Sequence, residues 1–346
     1  MDRDQVVNRR LLLRGGLIAG AGAGLAALSA CSADRRLPGP SPSGTEQAGS
    51  GDGTIRHRVP DQVNPIPRSF TTPADEPGRL VELVYDTYES QTYEQRTRRL
   101  RKRAIVYLPS DYDDGTAHDV FYLMHGGWGD ETTTLGTPDA PSTFKNVLDN
   151  AIAAGEIDPL IVVCPTYNNT SPDDSADFSL ALTLTENYRN ELLNDLIPAV
   201  EDRYSTYAER VSSTGLEESR DHRGFGGFSM GAVTTWRTFR YCLDFFRHFL
   251  PMSCGTSLDM DDIVAAARTR NPSDYFVAVI TGSEDFAHPE EESRVAFLRQ
   301  TLQFTDSDDE AGGNFVYRVK DGYGHDEVAA MEYTYNGLRW FRDQPR

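Results

Sequence analysis

A serine hydroxyl attacks a carbonyl only when a base takes its proton and an acid holds that base in place. Gly227-Phe228-Ser229-Met230-Gly231 offers such a serine. Small residues on either side let the backbone turn sharply and lift the hydroxyl out of the chain. By itself the pattern is weak, since a random chain this long contains it about one time in eight. Its setting is stronger, because Phe225-Gly226-Gly227 reads as the end of a strand and a helix starts at once. The remaining partners follow in the order acid, then base. Asp285 sits in Gly282-Ser283-Glu284-Asp285-Phe286, just past a strong strand. His325 sits in Asp321-Gly322-Tyr323-Gly324-His325-Asp326, just past the last strand. Glu284 is the alternative acid. His288 precedes the last strand, which is the wrong place for the base.

The reaction also needs donors for an oxyanion. The N–H of Met230, directly after the nucleophile, is one. The other comes from His125-Gly126-Gly127-Trp128-Gly129, through the N–H of Gly127 or its neighbour Trp128. His125 is expected to support this loop rather than move protons. Trp128, Tyr167 and Tyr323 are candidates for lining an acyl or sugar pocket, with ordinary packing as the alternative. His222 reads as structural. Cys164 and Cys254 each end a strand, and buried free thiols are expected there rather than a disulfide; Cys242 belongs to the core. Acidic clusters lack calcium-loop spacing. No metal spacing, phosphate loop or dinucleotide fingerprint is present, so no metal and no cofactor is expected.

The elements that must position these groups alternate. Strands are expected at Leu80–Tyr88, Lys102–Leu108, Asp119–Met124, Leu160–Cys164, Arg223–Phe228, Phe249–Met252, Tyr275–Thr281 and Phe315–Val319. Helices are expected at Asn187–Tyr204, Ala232–Tyr241, Asp261–Thr269, Glu290–Leu302 and Glu327–Phe341. Strands alternating with helices imply an α/β fold, a mostly parallel sheet with helices on both faces. Its working residues belong on loops beyond the carboxyl ends of the strands. One such domain is expected over 61–346.

The first sixty residues read differently. Arg9-Arg10 followed by leucines, then a weakly apolar Gly- and Ala-rich run, has the order of an export signal of twin-arginine type over 1–30. Leu28-Ser29-Ala30-Cys31 has the pattern of a lipobox, with Cys31 as the lipidated residue; an uncleaved anchor helix is the alternative. Residues 31–60 are rich in Ser, Pro and Gly and read as a flexible linker. The expected location is the outer face of a bacterial membrane, as a lipoprotein touching the membrane only through Cys31, or free secretion. The chain has 346 residues and a formal charge of −19. An acidic balance of that size argues against nucleic acid as a partner.

The stretches Val106-Tyr107-Leu108-Pro109, Tyr122 to Gly127, Asn190 to Pro198, Asp221-His222-Arg223, Gly226 to Gly231, Pro251-Met252-Ser253, Thr281 to Asp285 and Gly324-His325 together carry a resemblance. So do Asn64-Pro65-Ile66-Pro67 and Thr72-Pro73-Ala74-Asp75. From about Asn64 to Phe341 the chain resembles the feruloyl and acetylxylan esterases of carbohydrate esterase family one, in the superfamily of esterase D. The resemblance implies an α/β-hydrolase fold and hydrolysis of esters on plant cell-wall xylan or its oligosaccharides. It matches Ser229 to the family's nucleophile, Asp285 to its acid and His325 to its base. The sequence leaves the acyl group open. Two other readings remain: an exported acyltransferase of mycolyltransferase type, and an inactive carbohydrate-binding lipoprotein.

Overall fold

Short β-branched and aromatic runs, buried on both faces, are the strand signal of a covered parallel sheet. A computed structural model describes residues 61–308 and 310–341, and its main sheet has eight strands, buried on both faces at the centre and partly open at the two edges. They are β1 (Arg79–Tyr88), β2 (Arg99–Leu108), β3 (Asp119–Met124), β4 (Leu160–Cys164), β5 (Arg223–Phe228), β6 (His248–Met252), β7 (Phe276–Gly282) and β8 (Phe315–Lys320). The order across the sheet is β1-β2-β4-β3-β5-β6-β7-β8. β1 and β2 form an antiparallel hairpin, paired from Arg79 with Leu108 to Tyr88 with Arg99. β2 is antiparallel to β4. Every later pair is parallel. The expected export signal, Cys31 and the linker lie outside the described residues.

Helices cover both faces. On one, α1 (Thr143–Ala153) and α8 (Glu327–Trp340) bury Phe144, Leu148, Tyr333 and Trp340 against Phe121, Leu250 and Ile280. On the other lie α2 (Phe178–Glu191), α3 (Ile197–Glu201), α4 (Ser213–Glu218), α5 (Met230–Cys242), α6 (Met260–Ala267) and α7 (His288–Leu298). There Leu184, Trp236, Phe239, Ile263 and Val295 pack on Tyr122, Phe225 and Val277. This is the α/β-hydrolase fold, with a mostly parallel sheet between two helical layers.

The helical expectations need correction in places. α1 was not anticipated, although Phe144, Val147, Leu148 and Ala151 share one face and Ser142 caps it. The helix expected over Asn187–Tyr204 starts at Phe178, where Asp177 accepts the N–H of Leu180 at 3.0 Å. It then widens into a π turn over Leu192–Leu196, with the N–H of Ile197 reaching the carbonyl of Leu192. Pro198 supplies the reason: it has no N–H to donate and its ring would crowd the carbonyl four residues back. α7 starts at His288, so Pro289 lies inside its first turn rather than ahead of it. Cys164, Cys242 and Cys254 are free and buried. Burial pushes all three thiols up, that of Cys254 to about 11.

Candidate active site

The loops after β3, β5, β7 and β8 leave the same edge of the sheet, because these strands run in one direction. At the end of β5 the backbone of Ser229 has φ 59° and ψ −116°. A non-glycine residue there carries strain of about 1–3 kcal/mol, held by its surroundings. The N–H of Ser229 donates to the carbonyl of Met252 at 2.9 Å, and its own carbonyl receives the N–H of Ala232 at 2.9 Å. The glycines on either side are required by space. A Cβ on Gly227 would stand 2.7 Å from the backbone of Gly231, and one on Gly231 would stand 2.3 Å from the carbonyl oxygen of Met124. The serine therefore rides on a turn pressed against the end of β3, at the head of α5.

Asp285 follows β7 and is 4% exposed. The Nδ1–H of His325 donates to its two carboxylate oxygens, each at 2.9 Å. The N–H of Ala287 donates to it as well, at 2.7 Å. Burial works to raise the Asp285 pKa, but the hydrogen bonds from His325, Ala287 and Ser253 outweigh it and hold the carboxyl below its ordinary value. Glu284 is exposed and gives its N–H to the carbonyl of Tyr323, so the acid at the imidazole is Asp285. His288 instead approaches Glu292 at 3.4 Å, one turn along α7.

The imidazole of His325 lies between two phenyl rings, Phe228 at 4.4 Å and Phe286 at 4.3 Å between centroids. Phe228 immediately precedes Ser229 in the chain, and among the described residues no hydrogen bond joins the Ser229 hydroxyl to the imidazole. With Nδ1 occupied by Asp285, Nε2 is the ring nitrogen without a hydrogen-bond partner among the described residues.

The loop after β3 abuts the same serine: a Cβ on Gly126 would lie 3.3 Å from the Cβ of Ser229. Trp128 donates its N–H to the carbonyl of Ser175 at 3.0 Å, so that group is already engaged. Among the described residues no protein acceptor takes the N–H of Gly127 or of Met230. His125 is buried, with Nδ1 at 2.7 Å from the carbonyl of Gly126 and Nε2 at 2.7 Å from the hydroxyl of Thr166. Burial pushes its pKa down to about 4, so the ring is neutral and props the loop.

The three aromatic candidates fall into different places. Trp128 is 82% exposed and has φ 58°, which projects its indole from the loop. Tyr167 is only 2% exposed; it stacks under His125 at 4.5 Å and donates its hydroxyl to the carbonyl of Gly126 at 3.1 Å. Its expected place on a pocket wall is corrected to one beneath the loop. The ring of Tyr323 lies under the ammonium of Lys320 at 5.1 Å and packs towards α8, while its carbonyl anchors the acid loop. The sequence reading missed Phe286, Thr166 and Ser253. Only the position of Phe286, directly after the acid, could have flagged it.

Sheet order, serine elbow and the carboxylate–imidazole pair at neighbouring strand ends define an α/β-hydrolase with a serine-hydrolase constellation. Residues 97–296 match the family model described as putative esterase. The chain is 35% identical over 288 residues to endo-1,4-beta-xylanase Y of Acetivibrio thermocellus, covering 81% of this chain and 24% of that protein. It is 26% identical over 159 residues to an endo-1,4-beta-xylanase/feruloyl esterase of Xylanibacter ruminicola, covering 44% of this chain and 20% of that one. The chain thus spans a quarter or less of the length of these curated relatives. Among solved structures, a serine-to-alanine mutant of the feruloyl esterase module from Clostridium thermocellum, complexed with sinapinate, aligns with a TM-score of 0.71. There the identity is 33%, and the match covers 84% of this chain and 97% of that one. The chain belongs to this esterase family.

Proposed function

We propose that the chain is a serine carboxylic-ester hydrolase that removes feruloyl or acetyl groups from xylan-type polysaccharide through an acyl-enzyme. The observation that carries the reading is the imidazole of His325, oriented by both oxygens of Asp285 and flanked by the phenyl ring next to Ser229. Nε2 of His325 takes the hydroxyl proton as Oγ of Ser229 adds to the ester carbonyl. The N–H groups of Met230 and Gly127 receive the oxyanion; the bond already made by the Trp128 N–H favours Gly127 over its neighbour. The imidazolium, stabilised by the Asp285 carboxylate, returns the proton to the departing sugar oxygen. A water then gives a proton to Nε2 and adds to the acyl carbon, and the imidazolium returns that proton to Oγ of Ser229 as the free acid leaves. Trp128 is the candidate wall for the acyl or sugar group. The relatives' names, a xylanase and a xylanase/feruloyl esterase, support the substrate class. The Arg9-Arg10 and Leu28 to Cys31 patterns support export and lipid attachment at Cys31.

A panel of aryl acetate, methyl ferulate, acetylated xylan and a long-chain acyl ester tests this, run beside Ser229→Ala and with an added sugar acceptor. Release of free ferulate or acetate, lost in Ser229→Ala together with fluorophosphonate labelling, is expected. Undiminished turnover in that variant overturns the nucleophile assignment, and acyl-sugar in place of free acid moves the reading to acyl transfer.

A further inference from the structure

We infer that His125, Thr166 and Tyr167 are positioning residues that aim the second oxyanion donor by holding the opposite end of its own peptide bond. This rests on the proposal that the N–H of Gly127 receives the oxyanion. That N–H shares a peptide unit with the carbonyl of Gly126. Among the described residues all peptides are trans, so the carbonyl and the N–H of one unit point in opposite directions. Two donors hold the carbonyl: Nδ1–H of His125 at 2.7 Å and the hydroxyl of Tyr167 at 3.1 Å. With the oxygen drawn towards these buried rings, the N–H of the same peptide points away from them, and Gly126 itself lies against Ser229, where a Cβ would stand 3.3 Å from that of the serine.

The holders are themselves held. His125 can donate from Nδ1 only in one neutral tautomer; the carbonyl of Gly126, which can only accept, fixes it, and the hydroxyl of Thr166 then holds the ring by donating to Nε2. The same hydroxyl oxygen accepts the N–H of Asn168 at 3.0 Å. The carbonyl of Thr166 receives the buried ammonium of Lys102 at 2.7 Å, and Glu191 binds that ammonium at 2.8 Å. Further along the loop, the carbonyl of Gly129 takes the side-chain amide of Asn168 at 3.0 Å and the hydroxyl of Ser175 at 2.7 Å. Thr166-Tyr167-Asn168 after β4 therefore forms a mould for the loop after β3. Thr166 and Asn168 carry no functional signal in their residue type, and Tyr167 signals only an aromatic.

Tyr167→Phe removes one hydroxyl and keeps the ring. Thr166→Val removes the hydroxyl that anchors Nε2 of His125 and keeps the shape, and Thr166→Ser restores it. A mispositioned oxyanion donor lowers kcat and leaves KM alone, because the interaction forms only in the transition state. We expect kcat to fall about 10- to 100-fold in Thr166→Val and about 3- to 10-fold in Tyr167→Phe, less than complete loss of a donor. KM should stay within about twofold, and Thr166→Ser should return kcat to within about threefold of the parent. Hydrogen exchange of the 125–129 amides, which needs no turnover, should quicken in Thr166→Val and Tyr167→Phe and recover in Thr166→Ser. Parental kcat in both hydroxyl-deletion variants, a change confined to KM, or unaltered exchange would overturn the inference. Absence of ester turnover in the parent, with exchange responding as stated, would instead overturn the esterase reading while leaving the mould in place.

Discussion

Phe286 lies over the imidazole of His325 with ring centroids 4.3 Å apart, although 70% of the phenylalanine is open to solvent. Gly255 makes that placement possible, since a Cβ there would stand 2.6 Å from the Phe286 ring. The base is thus walled on one side by a residue that contributes little to the core. Phe286→Ala should leave thermal stability within about 0.5 kcal/mol, as for other exposed sites. It should also lower kcat/KM about tenfold by loosening the imidazole. Steady-state kinetics beside a melting curve decides it, and an unchanged kcat/KM would remove the ring from the machinery.

The acid has a separate signature. Asp285→Asn keeps the shape but cannot enforce the Nδ1–H tautomer of His325, and a drop of about 10⁴ in kcat is the scale known for such a change in serine proteases. Circular dichroism should show the parental fold. Loss of less than tenfold would point to another acid.

Space around the elbow predicts a structural failure. Ala at Gly231 would bring a methyl to 2.3 Å from the carbonyl oxygen of Met124, and Ala at Gly227 to 2.6 Å from the same atom. Both contacts are with backbone that cannot rotate away. Each variant should lose about 2–4 kcal/mol or fail to accumulate as soluble protein, measured by urea unfolding.

Trp128 gives the opposite outcome. Its indole projects into solvent, so Trp128→Ala should leave the unfolding midpoint unchanged. If the indole forms a wall for the acyl group, kcat/KM for methyl ferulate should fall by about 1–3 kcal/mol equivalent while aryl acetate changes little. A flat dependence on acyl size would place the substrate elsewhere.

Acid should weaken the fold through His125. Its pKa is about 4 in the folded chain against an ordinary value of 6.5. Between those values the unfolded chain binds the extra proton, so stability is complete above pH 6.5 and declines as the pH falls towards 4. The span corresponds to about 3 kcal/mol. Asp285 acts in the same direction lower down, because its depressed carboxyl supports the fold until it is protonated. Urea midpoints from pH 7 to pH 4 should fall, with a shallower slope in His125→Gln; identical slopes would show that this ring does not drive the loss.

How far the sequence speaks depends on the range of the signal. Asp119–Met124, Leu160–Cys164 and Arg223–Phe228 are strands with the bounds expected, because each is a short apolar run closed by glycine, proline or the serine turn. The pairing of Asp285 with His325 follows from strand ends in a parallel sheet sharing an edge. The π turn before Pro198 was not, since hydrophobic spacing alone does not register one extra residue in a turn. Tyr167 was misplaced for a similar reason: an aromatic after a strand can face a pocket or go beneath a loop, and only packing decides. Thr166 and Ser253 carry no type signal at all, being small hydroxyl residues whose partners lie far away in the chain.

The thiols of Cys164, Cys242 and Cys254 are sealed inside the two hydrophobic layers and joined to nothing. Whatever cross-links the outside world favours, the described residues of this domain hold no disulfide. Its urea midpoint should therefore be the same with and without dithiothreitol. Alkylating reagents should find no target in it until the polypeptide opens, which turns iodoacetamide into a convenient reporter of unfolding.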